Sequence, residues 1–405
     1  MSFDFDRIPQ RRGTGSTKWE YYPEDVLPMW VADMDFASPE PVLRALHERV
    51  DHGFFGYETD PTWLPKDVYE RVVATCRPPV YRLAEVVCER MERLYRWRIT
   101  PEDILFLPSL VAGINLSCRA VGQPGESVLM LTPTYPPFLS APKNHQLALD
   151  TFELTLLQGE RTIDYAIDFD AFDAAFHGGT RMFLLSNPHN PVGKDHDAAT
   201  LARLAESCLR HDVVICSDEI HCELLLGETR HVPLAAIAPE IAARTITLMS
   251  PSKTFNLPGL GCGLAIVTDP ELRARLRRAA EGIVPHPGTL GYAGALAAFS
   301  EGGEWLAALR RYLTANRDLY VSYIVERLPQ LRTTVPDSTY LGWIDCREAG
   351  IAGNPQRFFL EQAKVALSDG ATFGPGGAGF VRLNFGCPRA LLLEGLERMR
   401  VALER

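Results

Sequence analysis

The chain has 405 residues, of which 46% are hydrophobic and 23% are charged, and its formal net charge is −10. This length and apolar content are sufficient for two domains with sizeable cores. No basic tract is present, so a nucleic acid is not expected as a partner, because phosphate binding requires clustered Lys and Arg.

The cysteines and the apolar stretches bear on the compartment of the protein. The opening sequence MSFDFDRIPQRRG lacks the apolar core of a secretory signal, and no apolar stretch approaches the length of a membrane span. The nine cysteines are scattered and none forms a C-x-x-C pair, which argues against zinc and dithiol chemistry. Unpaired cysteines are typical of a reducing compartment. The sequence therefore predicts a cytoplasmic protein without a metal site and without membrane contact.

The middle of the chain alternates short apolar runs with helical patterns. A turn that opens a helix near Ser109 is predicted within LPSLVAGINLSCRAVG (107–122), and a second helix, capped by Asp197, is predicted at 197–212. Runs of this length that are apolar throughout are typical of strands covered on both faces. These predicted strands span 127–132, 181–186, 213–217, 244–249 and 263–268. Strand–helix–strand alternation predicts an α/β fold with a mostly parallel, doubly wound sheet.

The C-terminal third has a different pattern. The long run EWLAALRRYLTANRDLYVSYIVERL predicts one amphipathic helix. The elements predicted here are a helix at 304–328, a strand at 339–346, a helix near 356–367, a strand at 379–386 and a final helix from Pro388. They indicate a smaller α+β domain. We expect an N-terminal arm with part of the small domain at 1–45, a large domain at 46–285 and the small domain at 286–405.

Polar side chains follow the predicted strands, where ligands bind in open α/β sheets. Tyr135 follows the first strand, and it is either a packed loop tyrosine or a flat ring that stacks on a flat ligand. Asn187 and Asn190 belong to NPHNPVG after the second strand. This segment is either a plain turn or a site that places two amides near the strand ends.

The next two strand ends carry charged groups. Asp218 and Glu219 follow the third strand in SDEIH, and a carboxylate there is expected to be partly buried and to need a partner. His221 lies within reach of the same spot. After the fourth strand, SPSKTFNLPGL supplies Lys253, which is either a surface charge or a buried amine suited to covalent carbonyl chemistry.

Two further elements are candidates for anion binding. The helix that opens at Ser109 presents free backbone N–H groups, and such a terminus attracts phosphate. Arg382 lies in the apolar strand segment RLNFGCP. It is either part of a structural ion pair or a clamp for a carboxylate, whose geometry a guanidinium matches with two hydrogen bonds.

Taken together, these groups match the requirements of pyridoxal 5′-phosphate (PLP), which needs an anchoring lysine, a carboxylate at its ring nitrogen, an aromatic plate and a phosphate cradle. The sequence resembles the PLP-dependent fold-type I (class I/II) aminotransferase superfamily, and most closely its cystathionine β-lyase-like (MalY/PatB) C–S lyase branch. The motifs that carry the resemblance are KWEYY…LPMWVADMDF (18–36), FFGY (54–57), SNPHNPVG, SDEIH and SPSKTFNLPGL.

The resemblance implies a PLP-transferase fold type I and a role for each matched residue. Lys253 is implied to anchor the cofactor covalently, Asp218 to hold the proton of the ring nitrogen, and Tyr135 to stack on the ring. Contacts with the ring oxygen are implied for Asn190 and His221, and a contact with the cofactor is implied for Asn187. Contacts with the phosphate are implied for Ser109, Leu110, Val111, Ser250 and Ser252.

The same resemblance implies a substrate site and an assembly. Arg382 is implied to bind the substrate carboxylate, with Trp30, Ala32 and Asp33 near the entrance. Tyr57 is implied to reach the phosphate of a neighbouring subunit, so that a homodimer completes the site. One position departs from the family pattern: Gly261 stands where many members carry an arginine that pairs with the phosphate.

The resemblance implies α,β-elimination of cystathionine or a related cysteine S-conjugate. Alternatives remain at this point, namely an aminotransferase of an L-amino acid, a lyase for a specialised thioether, and a PLP-binding regulatory protein. An aminotransferase uses the same lysine as base, so the sequence does not separate the two reactions.

Overall fold

The computed structural model of the chain describes residues 3–58 and 66–405. Its strands are β1 (Leu27–Pro28), β2 (Ile104–Leu107), β3 (Ser127–Thr132), β4 (Ala148–Glu153), β5 (Thr155–Gln158), β6 (Thr162–Ala166), β7 (Thr180–Ser186), β8 (Val214–Asp218), β9 (Thr245–Met249), β10 (Gly263–Ile266), β11 (Arg332–Thr334), β12 (Leu341–Asp345), β13 (Val365–Ala366), β14 (Ser368–Asp369) and β15 (Phe380–Asn384). Its α-helices are α1 (Thr17–Glu20), α2 (Glu40–His52), α3 (Lys66–Cys76), α4 (Pro79–Tyr95), α5 (Leu110–Val121), α6 (Pro136–Asn144), α7 (Phe169–Ala174), α8 (Ala198–Arg210), α9 (Pro239–Ala242), α10 (Pro251–Thr254), α11 (Pro270–Ala280), α12 (Thr289–Glu301), α13 (Gly303–Arg327), α14 (Pro355–Phe358) and α15 (Arg389–Leu403). Shorter turns are 3-10 helices at Pro101–Asp103, Leu234–Ala236, Pro258–Leu260 and Gly370–Phe373, and a π-helical turn at Phe359–Ala363. Within this part of the chain, no helix is both long enough and apolar enough to cross a membrane.

The larger sheet has seven strands in the order β2-β10-β9-β8-β7-β3-β4. The neighbours from β9 through β4 pair in parallel, whereas β10 runs antiparallel to both β2 and β9. The five strands predicted between 127 and 268 are all present, and the mostly parallel, doubly wound sheet is confirmed. The predicted strand at 263–268 is β10, the antiparallel member.

Helices cover both faces of this sheet because each central strand is apolar on both sides. In β3, Val128 and Met130 pack into one core with α5 and α11, and Leu129 and Leu131 pack into another with α7 and α8. Two predicted helix starts are also observed. The Ser109 hydroxyl oxygen accepts from the backbone N–H of Ala112 at 3.2 Å, and the Asp197 carboxylate caps α8.

The second sheet has the order β14-β15-β12-β11-β6-β5 and contains the strands predicted near 339–346 and 379–386. It also contains β5 and β6, which come from the middle of the chain and which the sequence did not indicate. Helix α12 contacts α2 and α4. The division of the chain at residues 45 and 285 stays a prediction.

The N-terminal arm is attached by a short strand and by buried charge. β1 pairs in parallel with β13 next to the second sheet. The ammonium group of Lys18, which is only 1% exposed, lies 2.7 Å from the Asp35 carboxylate, and Arg11 bonds to the same carboxylate at 2.7 Å. Removing one partner of such a pair is costly because it leaves a buried charge unmatched. The arm is therefore a fixed part of the molecule.

Close helix packing generates a first prediction, at Gly291 in α12. A Cβ atom at this position would lie 2.7 Å from the carbonyl oxygen of Leu260, which belongs to the turn that follows Lys253. We expect Gly291→Ala to lower the free energy of unfolding by about 1–3 kcal/mol through overpacking, as measured by denaturant unfolding. Gly303→Ala is the matched control because no heavy atom lies within 4 Å of its Cβ position. Equal stability of the two variants would contradict this packing.

Candidate active site

The carboxyl ends of β3, β7, β8 and β9 bring the predicted site residues to one edge of the larger sheet. Asp218 is the last residue of β8, and its carbonyl oxygen accepts from the backbone N–H of Asn187 at 2.9 Å. Tyr135 precedes α6 after β3, and Lys253 lies in α10 after β9. Parallel strands that end together therefore place groups distant in sequence side by side.

Lys253 is held by the N-terminal arm rather than by solvent. Its Nζ donates to the carbonyl oxygen of Ala32 at 2.6 Å. Burial, followed by the positive charge of Arg382, lowers the pKa of Lys253 to about 8, against the opposing effects of Asp33 and Asp218. Roughly a tenth of this amine is therefore unprotonated at about pH 7, and the share grows as the pH rises, as a nucleophile and general base requires.

Asp218 is a buried carboxyl whose neighbours have opposing effects on its pKa. Burial raises the pKa of Asp218 to about 7, and the negative charge of Glu219 adds to this increase. The backbone N–H of Ile220, at 3.1 Å from Oδ1, and the charge of Lys253 act in the opposite direction. A cation placed against Asp218 would lower its pKa further and keep it ionised.

Arg382 lies buried in β15 and is surrounded by neutral oxygens. It donates to Asn190 Oδ1 at 2.9 Å, and more distantly to the Trp30 carbonyl and the Ser368 hydroxyl at 3.2 and 3.3 Å. Its guanidinium carbon lies 4.9 Å from the centre of the Phe373 ring. Burial lowers the pKa of Arg382 to about 10, so it remains a cation at neutral pH. These contacts orient the guanidinium without neutralising it.

Tyr340, whose ring contacts that of His221, is a site residue that the sequence analysis missed. The ring of His221 lies edge-on to Tyr340 with the centroids 6.1 Å apart. The Tyr340 hydroxyl donates to the same Ala32 carbonyl that Lys253 contacts, at 2.9 Å. Burial, then the charges of Lys253 and Arg382, lower the pKa of His221 to about 3, so its ring is neutral. Tyr340 lies in TYLGWIDC, whose sequence pattern predicts a strand but no site residue.

The predicted phosphate cradle has a defined geometry. Ser109 stands at the start of α5, where the backbone N–H groups of Leu110 and Val111 have no partner within the helix. Ser250 donates to the Cys262 carbonyl at 2.7 Å and accepts from the Ser252 backbone at 3.1 Å.

Gly261 borders this cradle. It has a positive φ of 62°, and a Cβ there would lie 3.1 Å from the Pro108 carbonyl oxygen. A residue with a side chain is strained in this conformation. An arginine at position 261 would therefore be strained in the backbone conformation that this chain adopts.

The segment around Trp30, Ala32 and Asp33 is fastened from two directions. Asn256 donates to the carbonyls of Met34 and Phe36 at 2.9 and 2.8 Å. Asn384 donates to the carbonyls of Val31 and Asp33, both at 2.7 Å. The Asp33 carboxylate pairs with Arg11 at 2.9 Å. The backbone of this segment, more than its side chains, is what reaches Lys253 and Arg382.

Tyr57 is placed differently from the other predicted residues. With 91% of its surface exposed, it is not part of the buried cluster within a single chain. An exposed position is compatible with the role of reaching a neighbouring subunit, which stays a prediction.

Comparison with known proteins shows the family of the chain. The family model described as aminotransferase class I and II matches residues 78–399. The chain belongs to this family.

The full-length relatives of the chain include proteins named as lyases. The chain is 36% identical to cystathionine beta-lyase PatB of Bacillus subtilis, over 99% of this chain and 100% of PatB. It is 32% identical to protein MalY of Escherichia coli, over 97% of both chains. Among solved structures, OvoB aligns with a TM-score of 0.88 at 41% identity, covering 99% of both chains. Cystalysin of Treponema denticola, which contains a pyridoxal 5′-phosphate cofactor, aligns with a TM-score of 0.90 at 28% identity, covering 100% of this chain and 99% of cystalysin.

The residues present fit PLP by their unmatched polar atoms. Among the described residues, Asn187 Nδ2, His221 Nδ1 and Arg382 Nε are buried without a hydrogen-bond partner. Buried polar groups normally have one. Two nitrogen donors and a ring nitrogen beside Asp218 and Lys253 suit a ligand that carries a ring oxygen, a ring nitrogen and a carboxylate.

This geometry predicts how cofactor binding depends on pH. As the pH falls from about 8 to about 6, Asp218 gains a proton and can no longer pair with a protonated ring nitrogen, so the affinity of the apoprotein for PLP should fall. Asp218→Asn should weaken binding at about pH 8 by about tenfold or more, the value of a charge-assisted hydrogen bond. Quenching of tryptophan fluorescence on PLP binding measures both the pH dependence of the affinity and the effect of Asp218→Asn.

Asp164→Asn is the control for this experiment, because this exposed carboxylate pairs with Lys194 at 2.8 Å outside the site. A binding constant for PLP that is equal in the wild type and in Asp218→Asn across the range would contradict the assignment.

Proposed function

We propose that the protein is a PLP-dependent carbon–sulfur β-lyase that converts cystathionine or a related cysteine S-conjugate, with water, to a thiol, pyruvate and ammonia. The observation that carries the proposal is the buried group formed by Lys253 and Asp218 at one edge of the larger sheet together with Arg382 from the second sheet. Support also comes from the full-length similarity to a protein named cystathionine beta-lyase.

PLP, when bound, supplies an electron sink that stabilises negative charge at the substrate α-carbon. Asp218, as an anion, holds the proton at the ring nitrogen and so preserves that property. Asn187, Asn190 and His221 are assigned to the ring oxygen, and Tyr135, which is half-buried, is assigned to the ring face. The cradle at Ser109, Leu110 and Val111, with Ser250 and Ser252, is assigned to the phosphate.

Lys253 acts in two ways in this proposal. It anchors the cofactor, and once released it takes the proton from the substrate α-carbon as a general base. Its lowered pKa, near 8, provides the unprotonated amine that this step needs. The Ala32 carbonyl, 2.6 Å from Nζ, aims the amine. The bond between Cβ and sulfur then breaks, and the sulfur leaves with the electron pair as a thiolate.

Arg382 binds the substrate carboxylate. A guanidinium and a carboxylate form two parallel hydrogen bonds when the plane of the guanidinium is fixed. Asn190 and the face of Phe373 fix that plane here. We assign Trp30, Ala32 and Asp33 to the wall of the substrate site, and Tyr57 to the phosphate of a second subunit in a homodimer.

The anchoring role of Lys253 gives the first test of the function. Lys253→Ala should abolish both the cofactor absorbance above 400 nm and the release of pyruvate from cystathionine, because the amine serves as anchor and as base. Absorbance spectra and a coupled lactate dehydrogenase assay measure the two effects. A coloured, active Lys253→Ala protein would exclude the assignment.

The same assay separates the lyase from an aminotransferase. A lyase releases one pyruvate for each cystathionine consumed without an added keto acid, because no amino group needs an acceptor. Dependence of turnover on a keto acid would show an aminotransferase instead.

The role of Arg382 gives a second test. Arg382→Lys keeps the positive charge but loses the planar fork, and we expect kcat/KM for cystathionine to fall by about a hundredfold. Arg357→Lys is the control, because Arg357 pairs with Glu361 on the surface. An unchanged kcat/KM in Arg382→Lys would mean that the carboxylate binds elsewhere.

A further inference from the structure

Behind Asp218 lies a cluster of three ionisable side chains to which the proposed mechanism assigns no step. His231 lies between two carboxylates, with Nδ1 2.8 Å from Asp195 and Nε2 3.0 Å from Glu219. The side chains of His231 and Glu219 are 0% exposed and that of Asp195 is 2% exposed. Glu219 also accepts from the Ser217 hydroxyl at 2.8 Å and from the Leu234 backbone N–H at 3.1 Å.

His231 is a cation at neutral pH. Burial alone would lower its pKa, but hydrogen bonds to Asp195 and Glu219, together with their charges, outweigh burial and raise the pKa of His231 to about 9. The imidazolium thus lies between two carboxyl side chains in a site from which solvent is excluded. Ion pairs are strong in such surroundings.

The positions of the surrounding groups indicate that His231 supplies the positive charge that compensates Glu219. The ring of Tyr95, at the end of α4, lies 5.8 Å from the ring of His231. The nearby carboxylate of Glu223 is already paired with Arg90. Arg310 of α13 and the Cys222 thiol adjoin Glu223. In the part of the chain that the structure describes, the cation that hydrogen-bonds to Glu219 is His231.

Glu219 is linked to the site because it directly follows Asp218. Successive residues of an extended chain point to opposite sides, so Asp218 faces Lys253 while Glu219 faces His231. The charge of Glu219 nevertheless acts across this short distance and raises the pKa of Asp218. A second carboxylate beside a buried one favours protonation of the pair unless a cation compensates it.

We propose that His231 is a positioning residue that, by holding and compensating Glu219, keeps the adjacent Asp218 carboxyl anionic for the ring nitrogen of the cofactor. This inference rests on the proposed function, since it deepens the role of Asp218 in the same site. His231 touches neither the cofactor nor the substrate in this proposal and acts through Glu219 alone.

A double-mutant cycle between His231 and Glu219 tests this proposal on the apoprotein. The measured quantity is the pH at which PLP affinity is half lost on acidification, followed by tryptophan fluorescence. In His231→Gln the uncompensated Glu219 should raise this midpoint by about one pH unit, equivalent to about tenfold weaker binding in the transition region. In Glu219→Gln the midpoint should fall, because a negative charge beside Asp218 is removed.

The double variant decides whether His231 acts through Glu219. In the Glu219→Gln background, His231→Gln should change the midpoint little, because no carboxylate at position 219 remains to be compensated. Equal effects of His231→Gln in both backgrounds would overturn the proposal, as would shifts of the two single variants in the same direction. His196→Gln is the control, a buried histidine whose ring faces His189 rather than a carboxylate, and its midpoint should match the wild type.

The unmodified protein gives an independent measurement if His231→Gln fails to fold. NMR of histidine-labelled protein should show one ring that keeps its second proton up to about pH 9. If every histidine ring is neutral at about pH 8, the proposal is overturned. Because PLP affinity is measured apart from pyruvate release, normal PLP binding with no pyruvate would reject the proposed function and leave the role of His231 intact.

Discussion

A carboxyl group must remain charged in a place that disfavours charge, and this constraint organises the rest of the site. Asp218 ends a strand covered on both faces, so solvent cannot stabilise its ionised form. The backbone N–H of Ile220 and the ammonium of Lys253 oppose the effect of burial. Glu219 points to the other side of the chain, so the carboxylates of Asp218 and Glu219 lie in different environments.

Much of the large sheet and most of the candidate site could be predicted from the sequence. A strand that is buried on both faces leaves an uninterrupted apolar run, which is easy to recognise. Because parallel strands place their carboxyl ends at one edge, the polar residue after each run becomes a site candidate without knowledge of the strand order. This reasoning predicts Tyr135, Asn187, Asp218 and Lys253 as site residues.

Contacts between distant segments could not be predicted in the same way. Strands β5 and β6 are half exposed and short, so their place in the second sheet depends on pairing with β11, more than 160 residues away. Tyr340 and His231 carry no local signal, because their importance comes from Ala32 and Glu219 in other parts of the chain. The opposite orientation of Asp218 and Glu219 was within reach of the sequence, since it follows from strand alternation.

The hydrogen bonds that hold residues 31–36 have a consequence for the order in which the protein folds. Lys253 and Ala32 are 221 positions apart, and Asn384 and Val31 are 353 positions apart. Contacts of such separation form late, because a long intervening chain must first be ordered. During synthesis the arm leaves the ribosome early, but its hydrogen bonds to Asn384 cannot form until that residue has followed. A partly synthesised chain therefore contains both Lys253 and the Ala32 carbonyl before Asn384 is present to fix the backbone around that carbonyl.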